Sequence, residues 1–258
     1  MPPIKTLLFD CDNTLVLSED IAFIGCSQLA NECLRAHGIA KQYTGPEMMS
    51  AFVGLSFGKQ LLALSELHGF TLEQPEIDAY VARELGVIIA NLEQGAEPCE
   101  GSMEMLRALH DEAGLPVRGY DTAIVSSSAI TRVQASIRKT GQDRFFPSGK
   151  VFSAASSLPS GPSSKPDPAI YLYACEQLGV QPQEALAIED SRSGATAAKR
   201  AGIPLMGYVG PYYAEGGKEL ALKMDRMLRE ECGALAVMHH WSEFWECLKI
   251  VEAEPLPN

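Results

Sequence analysis

The sequence predicts an α/β fold: a doubly wound parallel sheet whose first strand is separated from the others by an all-helical insert. Three observations predict it. A short β-prone run, Ile4 to Phe9, stops abruptly at the acids Asp10 and Asp12. The stretch 17–97 carries helical spacing throughout, and nothing in it reads as a strand. From 98 onward apolar runs and helical patterns alternate, as they do where helices cover both faces of a parallel sheet. The expected division is therefore a core domain from 1–16 and 98–258, and a helical domain at 17–97.

The elements follow in order. Ile4 to Phe9 is a buried first strand. Ile21, Ile24, Leu29, Cys33 and Leu34 recur at helical spacing between Ser18 and His37, where His37-Gly38 supplies a stop. Further helices are expected at about 46–52, 58–68 and 74–93, punctuated by Gly54, Gly58, Gly69 and Pro75. After Gly95 to Pro98 come a helix at about 101–113, a strand over Thr122 to Val125, a helix at 129–140 and a strand near Val151-Phe152. Ser153 to Ser164, with Pro159, Gly161 and Pro162, has the composition of a loop. A helix at 168–178, a strand at 185–188, a helix at 192–201 and a strand at 204–209 complete the alternation. Trp241, Phe244, Trp245 and Leu248 give a last amphipathic helix to pack on the sheet.

Composition narrows the function. With 46% hydrophobic and 21% charged residues the 258-residue chain is globular, and its formal net charge of −12, without any basic cluster, argues against nucleic acid as a partner. A single phosphate remains an acceptable ligand, since one lysine, a metal and a few backbone N–H groups can hold it. Seven scattered cysteines, with no CxxC pair and no histidine at metal-ligand spacing, predict a reduced, cytoplasmic protein. The N-terminus lacks the apolar length of a signal peptide, and no stretch approaches the ~20 apolar residues of a membrane span.

In an open parallel sheet, ligands bind at the carboxyl ends of the strands. Those ends carry Asp10-Cys11-Asp12, Ser126-Ser127-Ser128 and Glu189-Asp190-Ser191, and Lys165 stands in the loop before a helix beginning near Pro168. Each alone has a structural reading: Asp-x-Asp as a turn, Lys165-Pro166-Asp167-Pro168 as a turn into a helix with proline at its first position, and Glu189-Asp190-Ser191 as a helix cap. Cys11 lies between two acids, but alternate strand residues face opposite sides, so it is expected to pack rather than react. His239-His240-Trp241 reads as a surface turn.

Together these segments resemble the four ordered motifs of the haloacid dehalogenase superfamily. Phe9-Asp10-Cys11-Asp12-Asn13-Thr14-Leu15-Val16 carries the DxDx[TV] core, Ser126 follows an apolar strand, Lys165-Pro166-Asp167-Pro168 matches the lysine motif, and Glu189-Asp190-Ser191-Arg192-Ser193-Gly194 matches the acidic one. The helical insert lies where members with an α-helical cap carry theirs. The resemblance implies a Rossmann-like core with a cap domain, and a Mg²⁺-dependent phosphatase working through an aspartyl-phosphate. It makes Asp10 the nucleophile and Asp12 the acid and base. Lys165 and Ser126, with the Ser127 N–H, become phosphoryl ligands. Asp10, the Asp12 carbonyl and Asp190 become metal ligands, with Glu189 bound through water or orienting them.

Asp12 argues against dehalogenase and phosphonatase members, which lack the second acid. Gly54-Leu55-Ser56-Phe57-Gly58-Lys59 resembles the cap loop of the β-phosphoglucomutase-like subfamily, which makes Gly54, Ser56 and Lys59 candidate substrate contacts. The mutases of that subfamily have arginine where this chain has Phe57, which favours hydrolysis of a small sugar or polyol phosphate, although Lys59 could act in the arginine's place. The alternatives are a phosphohexomutase and a non-catalytic phosphate-binding module. The sequence does not distinguish a monomer from a homodimer.

Overall fold

The computed structural model describes residues 2–52 and 54–253. The chain divides into two compact units, one formed by the residues up to Leu17 together with those from Glu97 onward, the other by Ser18–Ala96.

The first unit is the α/β one. Its strands are β1 (Thr6–Phe9), β2 (Val16–Leu17), β3 (Glu97–Pro98), β4 (Asp121–Ser126), β5 (Val151–Ser153), β6 (Ala185–Glu189), β7 (Leu205–Tyr208) and β8 (Ala236–Met238). Six of them form one sheet in the order β5-β4-β1-β6-β7-β8, and every pairing in it is parallel. The chain leaves β1 to build one side of the sheet and returns to build the other, so β1 sits at the switch point where such sheets open a ligand crevice. Phe9 is in register with Ile124 of β4 and Ile188 of β6, so the first residues past these strands converge.

Period-two alternation sorts the core into two layers. Leu8, Ala123, Val125 and Ala187 face one side, where Ile170 and Tyr171 of the helix Ala169–Leu178 and Ala195 and Ala198 of the helix Arg192–Arg200 cover them. On the other side Phe9 meets Phe146 and Trp241 at centroid distances of 6.0 and 6.1 Å. The Trp241 indole is fully buried and donates to the Thr14 carbonyl at 3.2 Å, satisfying the one polar atom that its burial would strand. The sequence places Trp241 on the amphipathic helix; here it begins a short 3-10 turn ahead of the helix Phe244–Ala253.

The structure adds elements that the sequence reading lacks. β2 and β3 form a two-stranded antiparallel ribbon, Val16 with Pro98 and Leu17 with Glu97, within the first unit. β8 is a sixth sheet strand. Between β7 and β8 the helix Tyr212–Arg226 is broken at Gly216 and Gly217, the latter at φ 69°, a left-handed conformation that glycine takes without steric cost.

The second unit is helical: α1 (Glu19–Ala36), α2 (Gly45–Phe52), α3 (Phe57–His68) and α4 (Gln74–Gly95). Gly25 allows α1 to lie close to α4, because a Cβ there would stand 3.1 Å from Ile88 Cγ1. Arg83 grips Glu32 with two hydrogen bonds of 2.7 and 2.8 Å across the same pair of helices. Although the spacing reading gives no histidine a metal-ligand position, Cys33, His37 and Glu76 come together here, His37 Nε2 bonding Glu76 Oε1 at 2.8 Å and stacking on Phe70. No single helix among the described residues is long and apolar enough to cross a membrane.

Candidate active site

The backbone of β1 ends with Asp10 N–H donating to the Ile188 carbonyl at 3.0 Å, which fixes the nucleophile candidate between β4 and β6. Alternation puts its side chain on the Leu8 face, and there Lys165 reaches it. The Lys165 ammonium spends its three protons on Asp10 Oδ1 at 2.6 Å, Glu189 Oε1 at 2.6 Å and the Val125 carbonyl at 2.7 Å. The Tyr171 hydroxyl donates to the same Glu189 Oε1 at 2.6 Å.

The electrostatics follow from burial. Asp10 is pushed up to about 7: burial raises it most, Lys165 pulls it down, and the charges of Glu189 and Asp12 raise it again. For Lys165, burial works against the charge, but Asp10 and Glu189 outweigh it and hold the ammonium above the ordinary lysine value. Cys11 is fully buried and its thiol is pushed far up, chiefly by burial, so it packs as expected and stays a thiol.

Asp190 completes the acidic group. Its Oδ1 accepts from the Thr14 hydroxyl at 3.3 Å and its Oδ2 from the Tyr212 hydroxyl at 3.0 Å, which orients it from both sides. One carboxylate oxygen each from Asp10, Glu189 and Asp190 lie within 4.8 Å of one another, and all three residues are buried. A single lysine does not balance three carboxylates, and Glu189 Oε2 is buried without a hydrogen-bond partner. A hard dication suits this set of oxygens, and no thiol or imidazole among the described residues joins it.

Gly194 explains itself at this point. A Cβ on it would lie 1.9 Å from Glu189 Oε2, so only glycine lets the helix Arg192–Arg200 start against that carboxylate. Ser191 caps the same helix by accepting from Gly194 N–H at 3.2 Å, and the capping and acidic roles of this segment coexist.

Asp12 has a different environment. Arg132 donates to its Oδ1 at 2.8 Å and the Ser128 hydroxyl to its Oδ2 at 2.7 Å. Asn13, at φ 55°, turns the chain behind it, with its N–H on the Val16 carbonyl at 2.7 Å. Ser126 is buried and its hydroxyl accepts from Ser128 N–H at 3.0 Å, while the Ser127 hydroxyl accepts from Lys165 N–H at 3.0 Å and so ties down the lysine loop. Gly54, Ser56 and Lys59 belong to the helical unit. Gly54 is in a left-handed turn at φ 84°, Ser56 precedes α3 and Lys59 lies in its first turn, all exposed.

The sequence reading therefore collects Asp10, Lys165, Glu189 and Asp190 in one cluster, with Asp12, Ser126 and Ser127 beside it. It misses Arg132, Tyr171 and Tyr212 as contributors, and places Ser128 at a strand end without giving it a role. Tyr171 and Tyr212 carry no separate signal, because a tyrosine within a helical apolar pattern reads as core.

A family model described as haloacid dehalogenase-like hydrolase matches residues 4–202. The chain belongs to the haloacid dehalogenase-like hydrolases. It is 31% identical over 208 residues to hexitol phosphatase A of Escherichia coli (strain K12), covering 80% of this chain and 84% of that one. It is 27% identical to the 6-phosphogluconate phosphatase of the same strain, over 79% and 81% of the two chains. Among solved structures, a HAD family hydrolase from Deinococcus radiodurans R1, crystallised with phosphate and sodium, superposes with a TM-score of 0.68 at 27% identity over 97% of each chain. This chain is accordingly an enzyme, a phosphoric monoester hydrolase.

Proposed function

We propose that the protein hydrolyses a small phosphomonoester of a sugar or polyol in two steps, through a phosphate ester of Asp10. The observation that carries this reading is the division of labour between two acids two residues apart. Asp10 is buried against a lysine that keeps a positive charge beside it, and Asp12 is held separately by Arg132 and Ser128.

Asp10, Asp190 and the Asp12 carbonyl would hold Mg²⁺, with Glu189 bound through water or orienting them. A hard dication supplies there the charge that lets a carboxylate approach a phosphate dianion. Lys165 offers its positive charge to the phosphoryl oxygens. The Ser126 hydroxyl, which accepts from Ser128 N–H, keeps its own proton for one of those oxygens, and the Ser127 N–H serves another. In the first step an Asp10 oxygen bonds to phosphorus as the ester P–O bond breaks, and the departing alkoxide takes the Asp12 proton. In the second step Asp12 takes a proton from water as the water oxygen bonds to phosphorus. The Asp10–phosphorus bond breaks, inorganic phosphate leaves and the Asp10 carboxylate is restored.

The names of the relatives, a hexitol phosphatase and a 6-phosphogluconate phosphatase, support sugar and polyol phosphates as the substrate class. Phe57 is buried within the helical unit, so no guanidinium stands at the position that favours the mutase alternative. The seven cysteines, all unpaired and buried, agree with a reducing cytoplasm. The test is a phosphate-release screen over hexitol, hexose and sugar-acid phosphates, run with Mg²⁺ and after EDTA. Release that requires Mg²⁺ is expected. Isomerised product without net phosphate release would favour the mutase, and no reaction with any member of the panel would overturn both enzyme readings.

A further inference from the structure

The serines at the end of β4 and in the stretch after β5 find their use around Asp12. Both Asp12 oxygens are engaged, Oδ1 by Arg132 at 2.8 Å and Oδ2 by Ser128 at 2.7 Å. Arg132 lies in the first turn of the helix Ile130–Lys139, and Ser128 in the turn that leads into it. That turn is itself tied down. Ser128 N–H donates to Ser126 Oγ at 3.0 Å, and the Ser128 carbonyl accepts from Ser153 Oγ at 2.7 Å. Ile130 N–H, at the helix start, donates to Ser156 Oγ at 3.2 Å, and Ser153 N–H donates to Ser157 Oγ at 2.9 Å. Part of the segment whose composition reads as a plain loop thus braces the two residues that hold Asp12.

We propose that Arg132 and Ser128 form a clamp that positions the Asp12 carboxyl to give a proton to the leaving oxygen and to take one from the attacking water. The proposal rests on the two-step reading above and assigns positioning residues to it. A carboxyl on a turn past a strand end has two side-chain torsions to fix, and a contact on each oxygen fixes both. The clamp acts through Asp12 alone, so its loss should matter in proportion to how much the leaving group needs a proton.

That dependence supplies the test. Single-turnover release is measured with p-nitrophenyl phosphate, whose phenolate leaves unaided, and with the best alkyl phosphate from the screen, whose alkoxide needs the proton. General acid–base catalysis is worth about 10²–10⁴-fold, so Arg132→Gln is expected to slow alcohol release about 100-fold while nitrophenol release stays within about 3-fold of wild type. Because Asp12 also activates water, the variant should give a burst of nitrophenol followed by slow turnover. Arg132→Lys, which retains one charged donor, should recover about 10-fold of the alcohol rate, and Ser128→Ala should show the same split, smaller. Equal losses on both substrates, or loss on neither, overturn the clamp. Wild-type protein that cleaves neither substrate overturns the phosphatase reading itself, and the clamp with it.

Discussion

Asp10 and Asp12 are two residues apart and belong to different environments. The Asp10 side chain is 10% exposed and shares Lys165 with Glu189, whereas the Asp12 side chain is 25% exposed and is held by an arginine and a serine from one turn and helix. On the Asp10 side, buried charges of one sign exceed those of the other. On the Asp12 side, one guanidinium faces one carboxylate near solvent. The first cluster is short of positive charge, whereas in the second each carboxylate oxygen has its own side-chain donor.

The largest expected effect comes from breaking the first cluster at its proposed nucleophile. Asp10→Asn should lower turnover at least about 10⁴-fold, since it removes the covalent step and not just an aid to it. The fold should survive, because a neutral amide relieves the excess negative charge around Lys165. Circular dichroism together with phosphate release checks both halves, and measurable turnover in a purified sample would rule out Asp10 as the nucleophile. Lys165→Met acts in the opposite sense. It leaves Asp10 and Glu189 buried without their cation, a change that costs about 3–5 kcal/mol when one partner of a buried pair is removed. Denaturant titration in EDTA should show that loss. The same experiment on Arg132→Gln should show less than about 1 kcal/mol, since that pair is partly exposed. Equal losses in the two variants would erase the distinction drawn between the clusters.

A middle-sized effect is expected at Gly194. Its substitution by alanine forces a methyl group toward Glu189 Oε2, and overpacking of this kind costs about 1–3 kcal/mol. The carboxylate must move, so the variant should need more Mg²⁺ for half-maximal activity than the wild type. A metal titration with unchanged midpoint would show that the Glu189 position does not matter to the cation.

The two clusters also differ in how far the sequence reveals them. Asp10, Glu189 and Asp190 each end a β-prone run and Lys165 precedes a helix with proline at its start, so local pattern places them at one edge of the sheet. The alternation of strands and helices after Pro98 yields the sheet as well. Arg132 gives no such sign: it sits in a helix whose pattern is set by Val133, Ala135 and Ile137, and a charged residue between core positions reads as a solvated face. Tyr171 reads as core because it is core, fully buried beside Ile170, while its hydroxyl is aimed at Glu189. β2 and β3 have two residues each and β8 has three, lengths too short for period-two alternation to register. Convergence of side chains from distant segments, which makes the Asp12 clamp, has no local periodicity at all.

The last expected effect is on stability against pH, and it belongs to the Asp10 cluster alone. Burial, opposed in part by Lys165, pushes the Asp10 carboxyl from its ordinary 3.8 up to about 7. Between those values the folded protein retains a proton that the unfolded chain has lost. Stability from this group is therefore fully present below about pH 4 and is lost as pH rises through about 7. Thermal melts in EDTA should accordingly show the wild type falling relative to Asp10→Asn as pH rises across that window. Mg²⁺ should reverse the trend for the wild type, because a cation that binds the carboxylate competes with the proton and gains as the proton leaves. Parallel curves for the two proteins in EDTA would mean that Asp10 is already ionised at low pH, with Lys165 outweighing burial. The cluster would then be balanced without a metal, and the contrast with Asp12 would shrink to one of exposure.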